Sequence, residues 1–220
     1  MSTVLLTGST SGLGRYLASA LARAGHVVVA HGRDAHRTAQ LVADLDAAGG
    51  EAYAVVADLA SLAEVRALGM RVAQAHPDLD VLINNAGIGF GAEGAGREES
   101  VDGHELRLAV NYLAPVVLTR TLLPVLQANA PARIVNVGSV GQVPLDFDDA
   151  EFTSGYVGME AYRRSKFALA VYTFTLAEEL AGSGVSVNVL HPATLMDTAM
   201  SRESGITPRS TVEDGAAGVL

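Results

Sequence analysis

Short β-branched runs alternate with longer Ala- and Leu-rich stretches of helical period along the whole 220-residue chain. That alternation restricts the fold more than any other feature. The runs are Val4–Leu6, His26–Ala30, Ala52–Val56, Val81–Asn84, Arg133–Val137 and Val185–Leu190. Most are almost wholly apolar, which suits parallel strands covered on both faces. Helices are expected near Leu13–Ala24, Ala35–Ala48, Leu62–Ala75, Glu99–Gln127 and Met159–Ala181. Repeated strand–helix–strand order implies right-handed crossovers and an open parallel sheet with helices on both faces, an α/β doubly wound architecture of six strands. No solenoid-type repeat or Ser/Pro-rich linker interrupts it, and the Gly-rich patch Gly87–Gly96 reads as a loop after a strand. Residues 1–220 therefore read as one domain.

Composition removes several function classes. The formal charge of −9 argues against nonspecific nucleic-acid binding, which needs basic surface. The absence of cysteine excludes a disulfide scaffold and Cys-ligated metal, and no paired His spacing such as HExxH offers another metal site. The start, MSTVLLTG, lacks a basic segment followed by a long apolar core, so it does not read as a signal peptide. The apolar runs read as too short and interrupted to span a bilayer, and Leu118–Leu126 reads as core or interface helix. The expectation is a cytoplasmic protein without nucleic-acid or membrane partners.

The first strand runs directly into Thr7-Gly8-Ser9-Thr10-Ser11-Gly12-Leu13-Gly14, and a helix follows. At a strand–helix junction, Gly8 allows the tight turn, Gly12 lets a pyrophosphate approach the backbone, and Gly14 lets helix and strand pack closely. The helix then points unpaired N–H groups and its positive end at the phosphates. Gly8, Ser9, Ser11, Gly12, Leu13 and Gly14 are the expected dinucleotide contacts here. A Walker-type reading fails because no Gly-Lys-Ser/Thr follows. The second strand ends in His31-Gly32-Arg33-Asp34. An acidic residue at this point would bind the ribose 2′-hydroxyl of NAD, whereas an Arg accommodates a 2′-phosphate. Gly32 takes the acidic position and Arg33 follows, so NADP(H) is favoured over NAD(H), with Asp34 free to cap the next helix.

Four further segments follow in order: Asn84-Asn85-Ala86-Gly87, Asn111, Ser139 after Ile134–Gly138, and Tyr162-Arg163-Arg164-Ser165-Lys166. With the glycine loop in front, the chain resembles the short-chain dehydrogenase/reductase family over nearly its whole length. It is most similar to the carbonyl-reductase and retinol-dehydrogenase-like branches, because Ser139 and Tyr162 are far apart. The resemblance implies a Rossmann-type sheet and hydride transfer between a nicotinamide and a small carbonyl or secondary alcohol substrate. Tyr162 and Lys166 lie four apart on one helix face. A phenol ionises near ~10, and a nearby ammonium is expected to lower that value. By resemblance, Tyr162 transfers the proton, Lys166 tunes it and binds the nicotinamide ribose, and Ser139 holds the substrate oxygen. Asn111 helps hold a water linking Lys166 to solvent. Asp58 is implied to accept from the adenine amino group with Leu59 beside it, and Asn85, Ala86 and Gly87 to shape the adenine-side ribose loop. Pro192, Thr194 and Leu195 are possible nicotinamide contacts, with Thr198 an alternative to Thr194 because Ala193 stands where the family usually has glycine.

The segment between Ser139 and Tyr162 carries Asp146–Asp149, read as a solvated loop, and Tyr156, excluded as the catalytic tyrosine because Glu160 stands four residues later. Family members generally continue beyond a position like Leu220 into a seventh strand, so six strands with the seventh missing are expected, after a helix start at 211–219. In such relatives the inserted segment can obstruct the usual dimer, so monomer and homodimer both stand. The competing reading is an NADP(H)-binding redox-sensing regulator without turnover, because a fold alone does not decide function.

Overall fold

The computed structural model describes all residues but Glu93, Ser204 and Ile206, with the backbone alone of Glu203. Six parallel strands, β1 (Thr3–Leu6), β2 (Val27–Gly32), β3 (Glu51–Val56), β4 (Leu79–Asn84), β5 (Ala132–Val137) and β6 (Val185–Leu190), form one sheet in the order β3-β2-β1-β4-β5-β6. The chain moves outward from β1 through β2 to β3, then returns to the other side of β1 for β4, β5 and β6. That reversal opens a crevice between the loops that follow β1 and β4, where this class of sheet binds its ligands. All six expected strands are present, most of them a residue or two longer than the apolar run.

Alternation along β1 sorts the core into two layers. Leu5 joins one buried cluster with residues such as Leu68, Leu118, Leu122 and Leu176, whereas Val4 and Leu6 join a second with Leu13, Leu17, Leu41 and Leu45. The first layer lies under α3 (Leu62–Ala75), α5 (Ala114–Ala128) and α6 (Gly158–Glu179), and the second under α1 (Gly12–Arg23) and α2 (Ala35–Ala47). Burial of both faces of the central β1 and β2 explains why these strands carry few polar positions.

The helix expected from Glu99 starts instead at Leu106. Residues 99 and 105 form an antiparallel bridge, and the Glu105 carboxylate accepts from Leu108 N at 2.7 Å as an N-cap, which stops helix from extending backward. A short α4 (Leu106–Leu108) leads into a π-helical turn, Ala109–Leu113, and on into α5. This continuous segment, Leu106–Ala128, is 23 residues long and holds an 18-residue stretch of mean hydropathy 1.4, so by length and composition it could cross a membrane, contrary to the sequence expectation. Half of that stretch is buried inside the fold, and Leu118, Leu122 and Leu126 are core residues, so packing accounts for its apolarity.

Two short helices follow β6, α7 (Ala199–Glu203) and α8 (Val212–Ala216). The helix expected at 211–219 is thus five residues long, started by a Thr211–Asp214 capping box. Ala216 and Val219 pack on the α1–α2 layer.

Candidate active site

The carboxyl ends of the six strands open on one edge, and most of the expected site residues lie in the turns that follow them. Gly8 has φ +66°, and a Cβ there would stand 2.8 Å from Ala86 Cα. A side chain at Gly14 would overlap the Gly8 carbonyl oxygen and the Asn85 amide nitrogen. These two positions need glycine for different reasons, one a backbone conformation and one a close approach. The loop is tied to β4 by side chains. Thr7 Oγ1 accepts from Asn85 N and Ala86 N, both at 3.0 Å, and Asn85 Nδ2 donates to Thr7 O at 2.8 Å and Gly8 O at 3.2 Å.

Ser11, exposed at the N-cap of α1, makes no side-chain cap bond, whereas Asp34 caps α2 by accepting from Arg37 N at 2.9 Å and Ser61 caps α3. The first-turn N–H groups of α1, Gly12 to Gly14, are therefore left for an outside acceptor at the positive end of the helix. Neither Ser9 nor Leu13 offers a free side chain, and the Ser9 N–H is itself donated to His31 O at 2.9 Å. The Ser9 hydroxyl is buried and donates to His31 O at 2.9 Å, and Leu13 lies in the core.

At the end of β2, a side chain at Gly32 would overlap Thr38 Oγ1 and meet Thr10 Cγ2 at 2.6 Å, so no carboxylate fits there. Asp34 is held by its capping bond, which keeps its carboxyl below the usual range. Arg33 is exposed and unpaired among the described residues. Beyond β3, Asp58 is exposed with Oδ1 accepting from Ala60 N at 2.9 Å, and the Leu59 side chain is buried in the core.

The expected catalytic side chains come from four elements. Lys166 is the only lysine in the sequence. It lies buried on α6 and donates from Nζ to Val137 O, the last residue of β5, at 2.8 Å. Burial lowers its pKa to about 8. Its Nζ stands 5.9 Å from the Tyr162 ring centroid. Burial raises the Tyr162 pKa, and a hydrogen bond with the Ser139 side chain opposes the rise. The direction is opposite to the expected lowering by Lys166. The reason is positional: the ammonium is engaged by a backbone carbonyl beneath the ring, and the loss of solvent around the phenol outweighs any charge effect. Ser139 Oγ also accepts from Gly141 N at 3.1 Å.

Asn111 sits in the π-helical turn, fully buried. Its Oδ1 accepts from Ile88 N at 2.9 Å, and its Nδ2 donates to Ile88 O and to Ser165 Oγ, both at 3.1 Å. Ser165 in turn donates to Tyr162 O at 2.7 Å. One amide thus joins the β4 loop to α6 at Ser165, about two turns from its start. Asn111 and Lys166 meet at Gly87, where a Cβ would stand 3.1 Å from Asn111 Oδ1 and 3.6 Å from Lys166 Nζ. Below them Asn84 Nδ2 donates to Asn136 Oδ1 at 2.8 Å, and Asn136 Nδ2 to Thr173 Oγ1 at 2.9 Å. This buried chain gives Asn84 a structural place between β4, β5 and α6.

After β6 the chain passes through half-buried Pro192 to Leu195, which has φ +52°. Thr194 Oγ1 is 3.1 Å from His191 Nε2, whereas Thr198 lies against Gly12, its Cγ2 3.3 Å from where a Cβ would be. The structure therefore brings Thr198, not Thr194, to the glycine loop. The inserted segment is held at Tyr156 and Phe152. Tyr156 donates to Glu105 Oε1 at 3.0 Å, and burial pushes its pKa up. Arg164 stacks 4.1 Å from the Phe152 ring centroid. Phe90 closes the near side of the site, its ring edge-on to Tyr162 at 6.0 Å.

The sequence reading missed Thr7, His31 and Ser165 as parts of the site. Thr7 and His31 are polar residues at the ends of apolar buried strands, a pattern that marks a required hydrogen bond. Nothing in the sequence pointed to the Val137 carbonyl. The residues present fit a nicotinamide dinucleotide: two glycines that exclude side chains, an uncapped helix start and an exposed guanidinium line one end of the crevice, with the Ser139–Tyr162–Lys166 set at the other.

Comparison with known proteins agrees with this geometry. The family model for short chain dehydrogenase matches residues 2–208. Human retinol dehydrogenase 13 is 35% identical over 209 residues, covering 93% of this chain and 62% of that protein. Mouse retinol dehydrogenase 14 is 39% identical over 206 residues, covering 86% and 60%. The chain thus spans about three-fifths of the length of these curated relatives. Among solved structures, a short-chain dehydrogenase from Sphingobium yanoikuyae in complex with NADPH is 30% identical and superposes with TM-score 0.81, covering 100% of this chain and 83% of that one. A metagenomic short-chain oxidoreductase in complex with NADP is 29% identical with TM-score 0.77, covering 99% and 88%. Motif order, sheet topology and these matches converge on one conclusion: the chain belongs to the short-chain dehydrogenase family.

Proposed function

We propose that the chain is an NADP(H)-dependent oxidoreductase interconverting a carbonyl and an alcohol, with residues 1–220 acting as one dinucleotide-binding and catalytic domain. The observation that carries this reading is the buried Lys166, its Nζ 5.9 Å from the ring centroid of Tyr162, whose phenol is influenced by the Ser139 side chain. The bound dinucleotide supplies or takes up the hydride. Ser139 and Tyr162 hold the substrate oxygen between two hydroxyls, where developing negative charge is stabilised. In reduction the phenol O–H breaks and its proton passes to that oxygen. In oxidation the same oxygen returns it. The raised Tyr162 pKa keeps the phenol protonated at neutral pH, the form that donates. Lys166, on the Val137 carbonyl beneath the ring, supplies positive charge that favours the phenolate left after donation. Asn111 is a positioning residue, fixing the β4 loop to α6 through Ile88 and Ser165.

Three features support NADP(H) over NAD(H). Gly32 leaves no room for a carboxylate, Asp34 is committed to its cap, and Arg33 is exposed and unpaired among the described residues. The solved neighbours with NADPH and NADP agree. Their names bring in the curated relatives on substrate: retinol dehydrogenases and a mouse polyprenol dehydrogenase, 37% identical over 213 residues. A hydrophobic alcohol or carbonyl also suits Phe90 beside Tyr162 and the 70% exposed Val140 next to Ser139. The test is a panel of apolar aldehydes, ketones and secondary alcohols, followed by NADPH absorbance. Turnover with apolar members is expected. Tight NADPH binding without turnover across the panel would replace the enzyme by a dinucleotide-sensing regulator.

A further inference from the structure

His31 is 2% exposed at the end of β2, and neither the hydride chemistry nor any expected cofactor contact uses it. Both ring nitrogens are engaged. Nδ1 faces Gly8 N at 3.2 Å, and Nε2 faces Ala57 O at 3.1 Å. A backbone N–H can only donate and a carbonyl can only accept, so the network assigns the proton to Nε2 and a lone pair to Nδ1. The ring therefore spans from the glycine turn to the end of β3. The His31 carbonyl adds a second tie, accepting from Ser9 N and Ser9 Oγ, both at 2.9 Å. On its opposite side the Gly8 turn is closed by Ala86. Ala86 limits the turn sterically, and among the described residues the imidazole gives the half-buried Gly8 N–H its acceptor.

We propose that His31 is a positioning residue for the dinucleotide, its neutral imidazole holding the Gly8 turn in the shape that presents the start of α1 to the phosphates. This rests on the proposed dinucleotide binding and adds a dependence on pH. Protonating Nδ1 replaces an acceptor with a donor facing the Gly8 N–H, so the turn loses its tie and affinity falls. Burial, the largest influence, holds the His31 pKa below the usual imidazole range. The Ala57 carbonyl and the Asp58 carboxylate, both beyond β3, oppose it, while the β1 loop contributes only the uncharged Gly8 and Ser9. The site is thus competent at neutral pH and weakened in acid.

The test measures NADP⁺ dissociation constants by calorimetry for the wild type, His31→Asn and His31→Gln, with circular dichroism and thermal melts for each. Asn places an oxygen near the Nδ1 position and keeps the acceptor for Gly8, whereas Gln reaches toward Ala57 instead. His31→Gln should bind about tenfold more weakly near neutral pH, and His31→Asn close to wild type, at similar melting temperatures. The wild-type advantage over His31→Gln should shrink toward one in acid, and the ratio cancels ionisation of the ligand itself. Equal affinities in all three proteins would overturn the role of His31 and leave the proposed function standing. A wild type that binds no dinucleotide would overturn both. A nitrogen-15 spectrum of the wild type, which needs no variant, should show Nε2 protonated and Nδ1 bare near neutral pH. The opposite tautomer rejects the proposal.

Discussion

The two ends of the crevice are built by different means. At the glycine loop the shape is mostly backbone: a positive φ at Gly8, a close approach at Gly14 and an uncapped first turn of α1. At the other end the working parts are side chains carried by separate elements: Ser139 after β5, Tyr162 and Lys166 on α6, and Asn111 in a π-helical turn. The first end lies within eight consecutive residues, Thr7 to Gly14. The second needs the β4 loop, β5 and α6 in register, and its cross-ties run through Ile88, Ser165 and the Val137 carbonyl. A backbone-built site withstands loss of many side chains but no added atoms. A side-chain site behaves the other way round.

Substitutions can break or sharpen that contrast. The largest effect is expected at the side-chain end: Tyr162→Phe should lower turnover by about 10²–10⁴-fold, the range for a proton-transfer group. Its NADPH affinity, measured by fluorescence titration, should hardly change. Next comes an added methyl at the backbone end. Gly14→Ala puts a carbon onto the Gly8 carbonyl, which has nowhere to move against Asn85. Overpacking of this kind costs about 1–3 kcal/mol of stability in a denaturant titration, and NADPH affinity should fall with it. A Gly14→Ala protein of unaltered affinity would mean that the loop is looser than its contacts imply.

Arg33→Ala removes one exposed guanidinium and no fold contact. NADPH binding should weaken by ~1.5–3 kcal/mol, the range for a charge-assisted hydrogen bond, and NADH binding far less. Equal losses would remove the 2′-phosphate argument. A last test, read only as a pH slope, concerns Lys166, whose folded pKa is about 8 against 10.5 for an unperturbed lysine. Between these values the unfolded chain binds more protons, so this residue's contribution to stability rises with pH, is complete above 10.5 and is lost as pH falls toward 8. The stability difference between wild type and Lys166→Met should therefore shift in favour of the wild type with a slope on the order of 1 kcal/mol per pH unit. A flat difference across that window would place the ammonium in solvent.

Sequence alone determined the six strands, the α1 loop and the order of the Ser139, Tyr162 and Lys166 motifs. Each of these is written in local patterns: apolar runs, glycines at a junction, a four-residue helical spacing. Tertiary structure decided the rest. Helix fails between residues 99 and 105 because Glu105 caps α4, the Tyr162 phenol shifts upward because burial strips it of solvent, and Thr198 rather than Thr194 reaches Gly12. Burial and long-range hydrogen bonds depend on residues far away in the chain. Apart from the Glu105 cap, no short window of sequence contains both partners, so only the packed molecule could reveal them.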